Sequence, residues 1–374
     1  MKRAGVITFL TGHYYPSSRR AGFHNLADAA HRMGYKVNFV TIGYSLLSYL
    51  RHDYRTRING IHANLNKPVE LKTNFVSYVY ATAWHPMTFL VPAINRWTMS
   101  LMDQYGQGEL GALLPIVKET DIFVFESASG LFLFKRLQQE NPDAKMIYRV
   151  SDDVQILRST HPRLIKLEQE IAPLFHVVSV PCTWMLDKFP GLPALRCDRH
   201  GLDKTAFDAV NTSPYKTGTK NAVFVGTGYV DFDCIAHAAA GVPECNFHII
   251  GPIKNRINLK NVYFYGEIPF TKTIPYIKYS DIGLLSLRYM KHSSKSFSDS
   301  LKTIQYRYCG LPIVSPDFIN LARDNVFYYR PENAASCIKA VKDALSAGKN
   351  LSLGKEVQSW DEVMQSLLEA VSAY

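Results

Sequence analysis

Short apolar runs that suit buried strands alternate along the whole chain with longer runs that suit helices. In the first half, the strand-like runs lie at 4–10, 36–42, 121–127, 145–151 and 176–181. The helical runs between them lie near 22–34, 129–140, 161–172 and 183–189, whereas the region 44–110 shows no clear pattern. Alternation of this kind predicts an α/β fold, in which helices cover both faces of parallel sheets.

A second series of the same kind follows the polar stretch 211–220, NTSPYKTGTK, which we interpret as a linker because it contains Pro and Gly. Its strand-like runs lie at 221–226, 246–251, 262–267, 282–287 and 311–315, and a last helix is predicted near 356–372. The chain has 374 residues, more than the roughly 250–300 at which a single core stops growing. We therefore expect two α/β domains with a cleft between them, and ligands at the carboxyl ends of the strands.

Positive charge is concentrated at the N-terminal end of the chain. The net charge is +10, and residues 1–100 hold twelve Lys and Arg against three Asp and Glu. Aromatic and aliphatic residues accompany these cations over 44–58 and 78–106, a mixture typical of contact with an anionic membrane surface. A core helix with a solvated basic face fits the same pattern. Nucleic acid is not expected as a partner, because no nucleic-acid motif accompanies the charge.

Metal sites, disulfides and targeting segments are not indicated. The six cysteines form no CxxC pair and the twelve histidines no HExxH motif, so reduced cysteines and no metal are expected. The pair Asp231 and Asp233 resembles a metal-binding Asp-x-Asp, but a helix start there favours Asp as a cap. The N-terminal apolar run is too short for a signal peptide and reads as the first strand.

Two adjacent carboxylates, Asp152 and Asp153, end the strand-like segment AKMIYRVSDD. Ser-Asp-Asp after a strand is a good helix-start signal, so capping explains one of the two acids. The other acid can instead face the cleft and act as a general base.

The segment SFSDSLKTIQYRYCGLP, 296–312, predicts a helix that Ser298 or Asp299 caps and that ends at Gly310. Ser300 and Lys302 would then lie in its first turn, where free backbone N–H groups and the helix dipole favour a phosphate. Gln305 follows one turn later. The same residues also fit an amphipathic helix with a solvated lysine.

A glycine pair, Gly226 and Gly228, follows the first strand of the second series. Such a turn lets a nucleotide approach the backbone, but the third glycine of a dinucleotide motif is replaced by Asp231. An ordinary tight turn between strand and helix remains the alternative.

Several separate blocks together resemble the family of β-glucuronosyltransferases of xanthan assembly. Residues 13–34 resemble the family's first loop and helix, notably at Arg19, Arg20, Ala21 and His24. Further similar blocks, in the same order over nearly the whole chain, are DIFVFES (121–127), NPDAKMIYRVSD (141–152), HGLD (200–203), YGEI (265–268) and SLKTIQYRYCGLP (300–312).

The resemblance implies a GT-B fold of two facing Rossmann-like domains. We assign them to 1–205, facing acceptor and membrane, and to 206–355, binding the nucleotide sugar, with a C-terminal helix in 356–374 that crosses back. The implied reaction moves glucuronate from UDP-glucuronate to a lipid-diphosphate-linked oligosaccharide, with inversion and without a metal or other cofactor. The implied location is cytoplasmic, on the inner face of the plasma membrane.

The resemblance also implies residue roles. The family's general base falls on Asp152, which leaves Asp153 as the cap. Residues that contact UDP fall on Lys302 and Gln305, with Ser300 alongside, and a further family acid aligns less clearly with Asp187.

This sequence departs from the family around the nucleotide. Leu301 and Ile268 replace two methionines of the family and Leu287 replaces a tyrosine, which leaves an apolar uracil pocket and puts the donor sugar in question. The alternatives are a GT-B transferase that uses a different nucleotide sugar and a non-catalytic protein that binds a nucleotide sugar or a lipid surface. We hypothesise that Arg19, Arg20 or Lys302 pairs with the glucuronate carboxylate.

Overall fold

A computed structural model describes residues 5–156, 160–226, 228–254, 256–289, 300–319, 321 and 323–374. The chain forms two compact units, of which unit 1 comprises Met1–Arg199 with Trp360–Tyr374 and unit 2 comprises His200–Ser359. The interpretation of 211–220 as the linker is wrong, since this stretch lies within unit 2. There the hydroxyl of Tyr215 donates to the carbonyl of Tyr276 at 2.7 Å. This hydrogen bond anchors the polar stretch to unit 2.

Unit 1 contains an eight-stranded sheet in the order β3-β4-β2-β1-β5-β6-β7-β8. All neighbours pair in parallel except β3 and β4 at one edge. The central strands are apolar on both faces, as strands covered by helices on each side must be. The strands are β1 (Val6–Thr11), β2 (Lys36–Ser45), β3 (Val69–Lys72), β4 (Phe75–Thr82), β5 (Ile122–Glu126), β6 (Lys145–Arg149), β7 (Val177–Val180) and β8 (Leu195–Cys197).

The helices of unit 1 lie between these strands. The helix predicted near 129–140 begins as a 3-10 segment, Ser129–Leu133, and the one predicted near 183–189 is a 3-10 segment, Thr183–Lys188. The α-helices are α1 (Gly22–Arg32), α2 (Leu46–Leu50), α3 (Pro92–Trp97), α4 (Met99–Gln104), α5 (Leu114–Glu119), α6 (Phe134–Glu140) and α7 (Pro162–Ile171).

Unit 2 contains a six-stranded parallel sheet in the order β11-β10-β9-β12-β13-β14. Numbered within the unit, this is the 3-2-1-4-5-6 order of a Rossmann fold. Its strands are β9 (Lys220–Val225), β10 (Cys245–Ile250), β11 (Val262–Gly266), β12 (Ile282–Leu284), β13 (Ile313–Pro316) and β14 (Val326–Tyr329). Its helices are α8 (Lys204–Asp208), α9 (Phe232–Gly241), α10 (Phe270–Tyr279), α11 (Leu301–Tyr308) and α12 (Ala334–Ala347).

The C-terminal helix α13 (Trp360–Ser372) belongs to unit 1, although the chain reaches it only after completing unit 2. Its apolar side packs on α1 and the adjoining sheet face in one core cluster. Within that cluster the Trp360 ring lies so close to Gly22 that a Cβ there would approach it to 3.0 Å. The chain thus leaves unit 1 after Arg199 and returns at Trp360, a few residues from the junctions assigned at 205/206 and 355/356.

Candidate active site

Three neighbouring strands of unit 1, β1, β5 and β6, place their carboxyl ends side by side, and the buried carboxylate of Glu126 joins them. Its Oε2 accepts hydrogen bonds from the Thr11 hydroxyl and, at 3.0 Å, from the Gly12 N–H. Its Oε1 accepts from the Ser151 hydroxyl at 3.0 Å. Burial raises the pKa of Glu126, but its donors and the charge of His13 outweigh burial and hold the pKa below 4.5.

His13 lies on the loop after β1, with its Nε2 3.4 Å from Glu126 Oε1. Burial lowers the pKa of this imidazole, but the hydrogen bond and charge of Glu126 prevail and raise it above 6.5. The ring is one-third exposed, so one edge of the imidazole faces solvent beside the strand ends.

Asp152, the predicted general base, follows β6 on a loop that the Ser127 hydroxyl fixes by accepting the Ser151 N–H at 3.0 Å. Its side chain is exposed, yet enough protein surrounds the carboxyl that desolvation raises its pKa. The negative charge of Glu126 raises this pKa further, whereas His13 lowers it. A carboxylate that is accessible and more basic than usual is what proton abstraction requires.

Asp153 has the structural role of the pair, although the predicted helix cap is wrong. No helix begins among the described residues 150–156, and α7 starts at Pro162 with His161 as its cap. Asp153 instead accepts the N–H of Gln155 at 3.0 Å, closing a turn, and pairs with Lys188 at 2.7 Å in a buried ion pair. The two adjacent acids therefore face different surroundings.

The remaining candidates of unit 1 are spread around this edge. The guanidinium of Arg19 lies over the ring of Tyr54, 5.1 Å from its centroid. Arg20 is held by an ion pair with Asp28. Asp187 is exposed within the 3-10 segment after β7.

In unit 2 the corresponding edge lies where β9 ends beside β12. Gly226 follows β9, and its N–H donates to the Ile250 carbonyl at 3.0 Å. A Cβ on Gly226 would lie 3.0 Å from the ammonium nitrogen of Lys302 and 3.2 Å from the Phe224 ring. Gly251 is also required, because a Cβ there would reach the Gly226 carbonyl oxygen at 1.8 Å. Glycine therefore makes room for the lysine.

Lys302 lies in the first turn of α11, with its ammonium 3.8 Å from the centroid of the Phe224 ring. Desolvation lowers its pKa to about 7. Among the residues that the structure describes, no carboxylate shifts this pKa in the opposite direction. An anion bound beside Lys302 would supply the missing charge and favour the protonated form.

The start of α11 differs from the prediction in one respect. The helix begins at Leu301, so Ser300 is its N-cap residue rather than part of the first turn. The predicted caps Ser298 and Asp299 lie outside the described residues. The Ser300 hydroxyl oxygen is buried and has no hydrogen-bond partner among the described residues. Gln305 is buried one turn further along the helix.

The remaining candidates of unit 2 differ in their exposure. A Cβ on Gly228 would meet open space. Leu287 is buried, Ile268 is partly buried and Leu301 is 38% exposed.

Asp231 has the capping role weighed for it, accepting the Cys234 N–H at 3.1 Å and the Tyr329 hydroxyl at 3.0 Å. Both of its oxygens are therefore used within the fold. In the described part of the chain, no group of three or more His, Cys, Asp or Glu is arranged to hold a metal ion.

The chain is similar in sequence to known glucuronosyltransferases. Residues 9–181 match the family model described as the N-terminal domain of glucuronosyltransferase GumK. A UDP-glucuronate:glycolipid 2-beta-glucuronosyltransferase from Xanthomonas campestris pv. campestris is 29% identical over 350 residues, which cover 90% of this chain and 83% of that protein.

Solved structures support the fold. A glycosyltransferase from Rickettsia africae ESF-5 matches with a TM-score of 0.57 at 11% identity, covering 98% of this chain and 94% of that one. The apo structure of OtsA matches with a TM-score of 0.60 at 12% identity, covering 99% and 98%. The predicted GT-B fold class, with two Rossmann-like domains, is confirmed.

The predicted class of enzyme is confirmed as well: the protein is a glycosyltransferase. More particularly, the predicted resemblance to the β-glucuronosyltransferase family is confirmed, by the match over residues 9–181 and by the Xanthomonas relative.

Two site residues, His13 and Glu126, were not among the sequence candidates. A signal exists for Glu126, because a glutamate that closes the apolar run DIFVFE at a strand end needs buried donors. No signal links it to His13, which is 113 positions away and becomes a neighbour only when β1 and β5 pair.

Substitution of Gly226 by Ala should weaken UDP binding, because the added methyl displaces the ammonium of Lys302. Isothermal titration calorimetry should show a loss of roughly tenfold, as expected for one weakened charge-assisted contact of about 1.4 kcal/mol. Gly228→Ala should cost less, since its methyl meets open space. In a Lys302→Gln background, Gly226→Ala should add little, and equal losses in both backgrounds would refute this coupling.

Proposed function

We propose that the protein transfers glucuronic acid from UDP-glucuronate to a lipid-linked oligosaccharide in exopolysaccharide synthesis. The observation that carries the proposal is the position of Asp152 at the strand edge of unit 1, where its side chain is accessible and the surrounding protein raises the pKa of its carboxyl. It lies within the residues that match the glucuronosyltransferase domain. The name of the Xanthomonas relative supports the donor and a glycolipid as acceptor.

In the proposed reaction, Asp152 takes the proton from an acceptor hydroxyl while the hydroxyl oxygen attacks the anomeric carbon. The bond from that carbon to the UDP oxygen breaks in the same step, and its electron pair leaves with UDP. A single displacement inverts the anomeric carbon and needs no protein nucleophile. The raised pKa of Asp152 makes it a stronger base than an ordinary aspartate.

Unit 2 supplies the charge that the departing UDP requires. The first N–H groups of any α-helix have no acceptor four residues earlier within the helix, and the positive end of the helix dipole lies beside them, so the first turn of α11 favours an anion. Lys302 adds a cation at the same turn, and we propose Ser300 and Gln305 as further contacts to UDP. These groups are the proposed counterpart of a metal ion, and the reaction is proposed to run without one.

A cation is needed for the glucuronate carboxylate, and the candidates differ in their surroundings. Lys302 is assigned to the diphosphate, Arg20 pairs with Asp28, and the guanidinium of Arg19 lies over the ring of Tyr54 in unit 1. We propose Arg19 or Arg20 as the cation that binds the glucuronate carboxylate. A planar guanidinium can hold a carboxylate by two parallel hydrogen bonds.

Replacement of Asp152 by Asn should lower kcat by about 10²–10⁴-fold, the usual contribution of a general base. UDP release from UDP-glucuronate with a glycolipid acceptor measures it. Asp153→Asn is the matched control, because that carboxylate pairs with Lys188. This variant should melt at a lower temperature but keep most of its kcat at temperatures where it is folded. Full activity in Asp152→Asn would exclude the proposed base.

An exposed apolar surface on unit 1 offers contact with the membrane that carries the acceptor. It comprises two segments, which the hydrogen bond from Arg51 to the Thr88 carbonyl connects at 2.8 Å. Leu90 is fully exposed and Trp97 is 88% exposed. The members of this apolar surface are Leu46, Leu50, Leu90, Val91, Ile94, Trp97 and Leu101.

The charge around the apolar surface suits anionic lipids, because Arg51 and Arg96 are exposed within its two segments. No helix in the described part of the chain is long and apolar enough to cross a membrane. We propose that unit 1 rests on the inner face of the plasma membrane, with the protein otherwise in the cytoplasm.

The double variant Leu50→Glu/Trp97→Glu should lose binding to phosphatidylglycerol vesicles in a co-sedimentation assay, because it places acids on the apolar surface. Leu351→Glu in unit 2, where the leucine is 70% exposed, is the matched control and should bind like the wild type. Wild-type binding should weaken steeply with salt. Binding that ignores salt, or that survives in the double variant, would contradict the proposed contact.

A further inference from the structure

His13 is an ionisable group at the strand edge of unit 1 to which the proposed reaction gives no role. Its positive charge nevertheless lowers the pKa of the proposed base, Asp152. We propose that His13 is a positioning residue for the transfer: held as an imidazolium by Glu126, it keeps the Asp152 carboxylate ionised and able to accept the hydroxyl proton. The inference rests on the proposed function, because it takes Asp152 to be the base.

The backbone of His13 is fixed on both sides. Its N–H donates to the Thr11 hydroxyl at 3.0 Å, and its carbonyl accepts from the Thr41 hydroxyl at 2.8 Å. The carbonyl of the preceding Gly12 accepts from Arg55 at 2.8 Å. The imidazole therefore has one fixed origin at the end of β1, from which its Nε2 reaches Glu126.

Glu126 can hold a cation because it is itself anchored. The Thr11 hydroxyl, the Gly12 N–H and the Ser151 hydroxyl all donate to it, so the carboxylate remains ionised in a buried site. The same carboxylate thus binds the loop of His13 and the loop of Asp152. This shared anchor fixes the position of the cation relative to the base.

Other charges near His13 do not replace it. Arg55 lowers the pKa of His13, but its guanidinium is paired with Asp53 at 2.6 Å. The His24 ring lies 5.5 Å from the His13 ring, and its pKa is lowered to about 4, mainly by burial, so it is neutral.

Among the groups that act on the pKa of Asp152, His13 is the one that compensates the negative charges around it. Asp153 raises the pKa of Asp152, although its own partner is Lys188. Burial and Glu126 raise it as well, and His13 alone among these influences lowers it.

The sign of the effect follows directly. Glu126 raises the pKa of His13 and so favours the imidazolium, and the positive charge of His13 lowers the pKa of Asp152. The cation then opposes protonation of Asp152. Without it, burial and Glu126 act unopposed, so Asp152 gains its proton at a higher pH and loses its function as a base there.

The test is the pH profile of kcat/KM for UDP release, compared between the wild type, His13→Gln and His13→Lys. The acid limb of this profile reports the ionisation of the free enzyme's base. His13→Gln should move the acid limb to higher pH. The loss of kcat/KM relative to the wild type should therefore be severalfold larger at acidic pH than on the plateau. His13→Lys, which restores a cation beside Glu126, should move the limb back. A profile that scales down without moving would overturn the inference and indicate a structural role only.

A second measurement does not depend on activity. Coupling between two ionisable groups is reciprocal, so the negative charge of Asp152 must raise the pKa of His13. NMR titration of ring-labelled histidines, with the His13 signal identified by its loss in His13→Gln, should show a lower midpoint in Asp152→Asn. An unchanged midpoint would overturn the inference. Full activity in Asp152→Asn would instead refute the proposed function, so the two failures are distinguishable.

Discussion

The arrangement of the strand ends in unit 1 depends on the hydrogen bonds that the buried carboxylate of Glu126 accepts. An ionised acid in a protein interior is costly unless hydrogen bonds and opposite charge satisfy it. Here the donors come from the last residue of β1 and from the loops after β1 and β6, while the acid itself is the last residue of β5. Hydrogen bonds to one carboxylate thus connect the ends of three strands, including the end of β6, whose loop carries Asp152.

In unit 2 the buried charged group is Lys302, and glycines rather than an acid make room for it. Burial beside the Phe224 ring lowers the pKa of Lys302, and an anion bound there would favour the protonated form of the lysine. Gly226 and Gly251 provide the space, because a side chain at either position would collide with Lys302 or with the neighbouring backbone. Lys302 follows β12, which neighbours the first strand of the sheet in unit 2, at the point where strand order reverses. In unit 1 the corresponding point between β1 and β5 carries His13 and Glu126, and Asp152 lies one strand further along, after β6.

The sequence predicted the elements whose physical signal is local. Strands such as β5 and β6 are apolar on both faces, and the prediction placed them within two residues of their observed ends. The secondary structure of the region 44–110 could not be predicted, because its short helices and edge strands mix apolar and basic residues. The polar stretch 211–220 was misread as a linker, since composition alone does not separate a surface loop from a domain junction.

The site was predictable only in part, for a similar reason. Asp152 and Lys302 could be named from strand ends, a helix start and a family resemblance. Whether Asp152 or Asp153 was the structural acid depended on Lys188, which no local pattern connects to Asp153. The pairing of His13 with Glu126 arises from the register of β1 and β5, so it required the folded sheet.

The central claim is the identity of the donor, which Leu287, Ile268 and Leu301 leave open because they replace polar or sulfur-containing family residues with aliphatic ones. The most direct test is UDP release from UDP-glucuronate, UDP-glucose and UDP-galactose, each with a lipid-diphosphate-linked oligosaccharide and with EDTA present. Turnover with UDP-glucuronate alone is the result that the account predicts. Turnover with another donor, or turnover that EDTA abolishes, would contradict it.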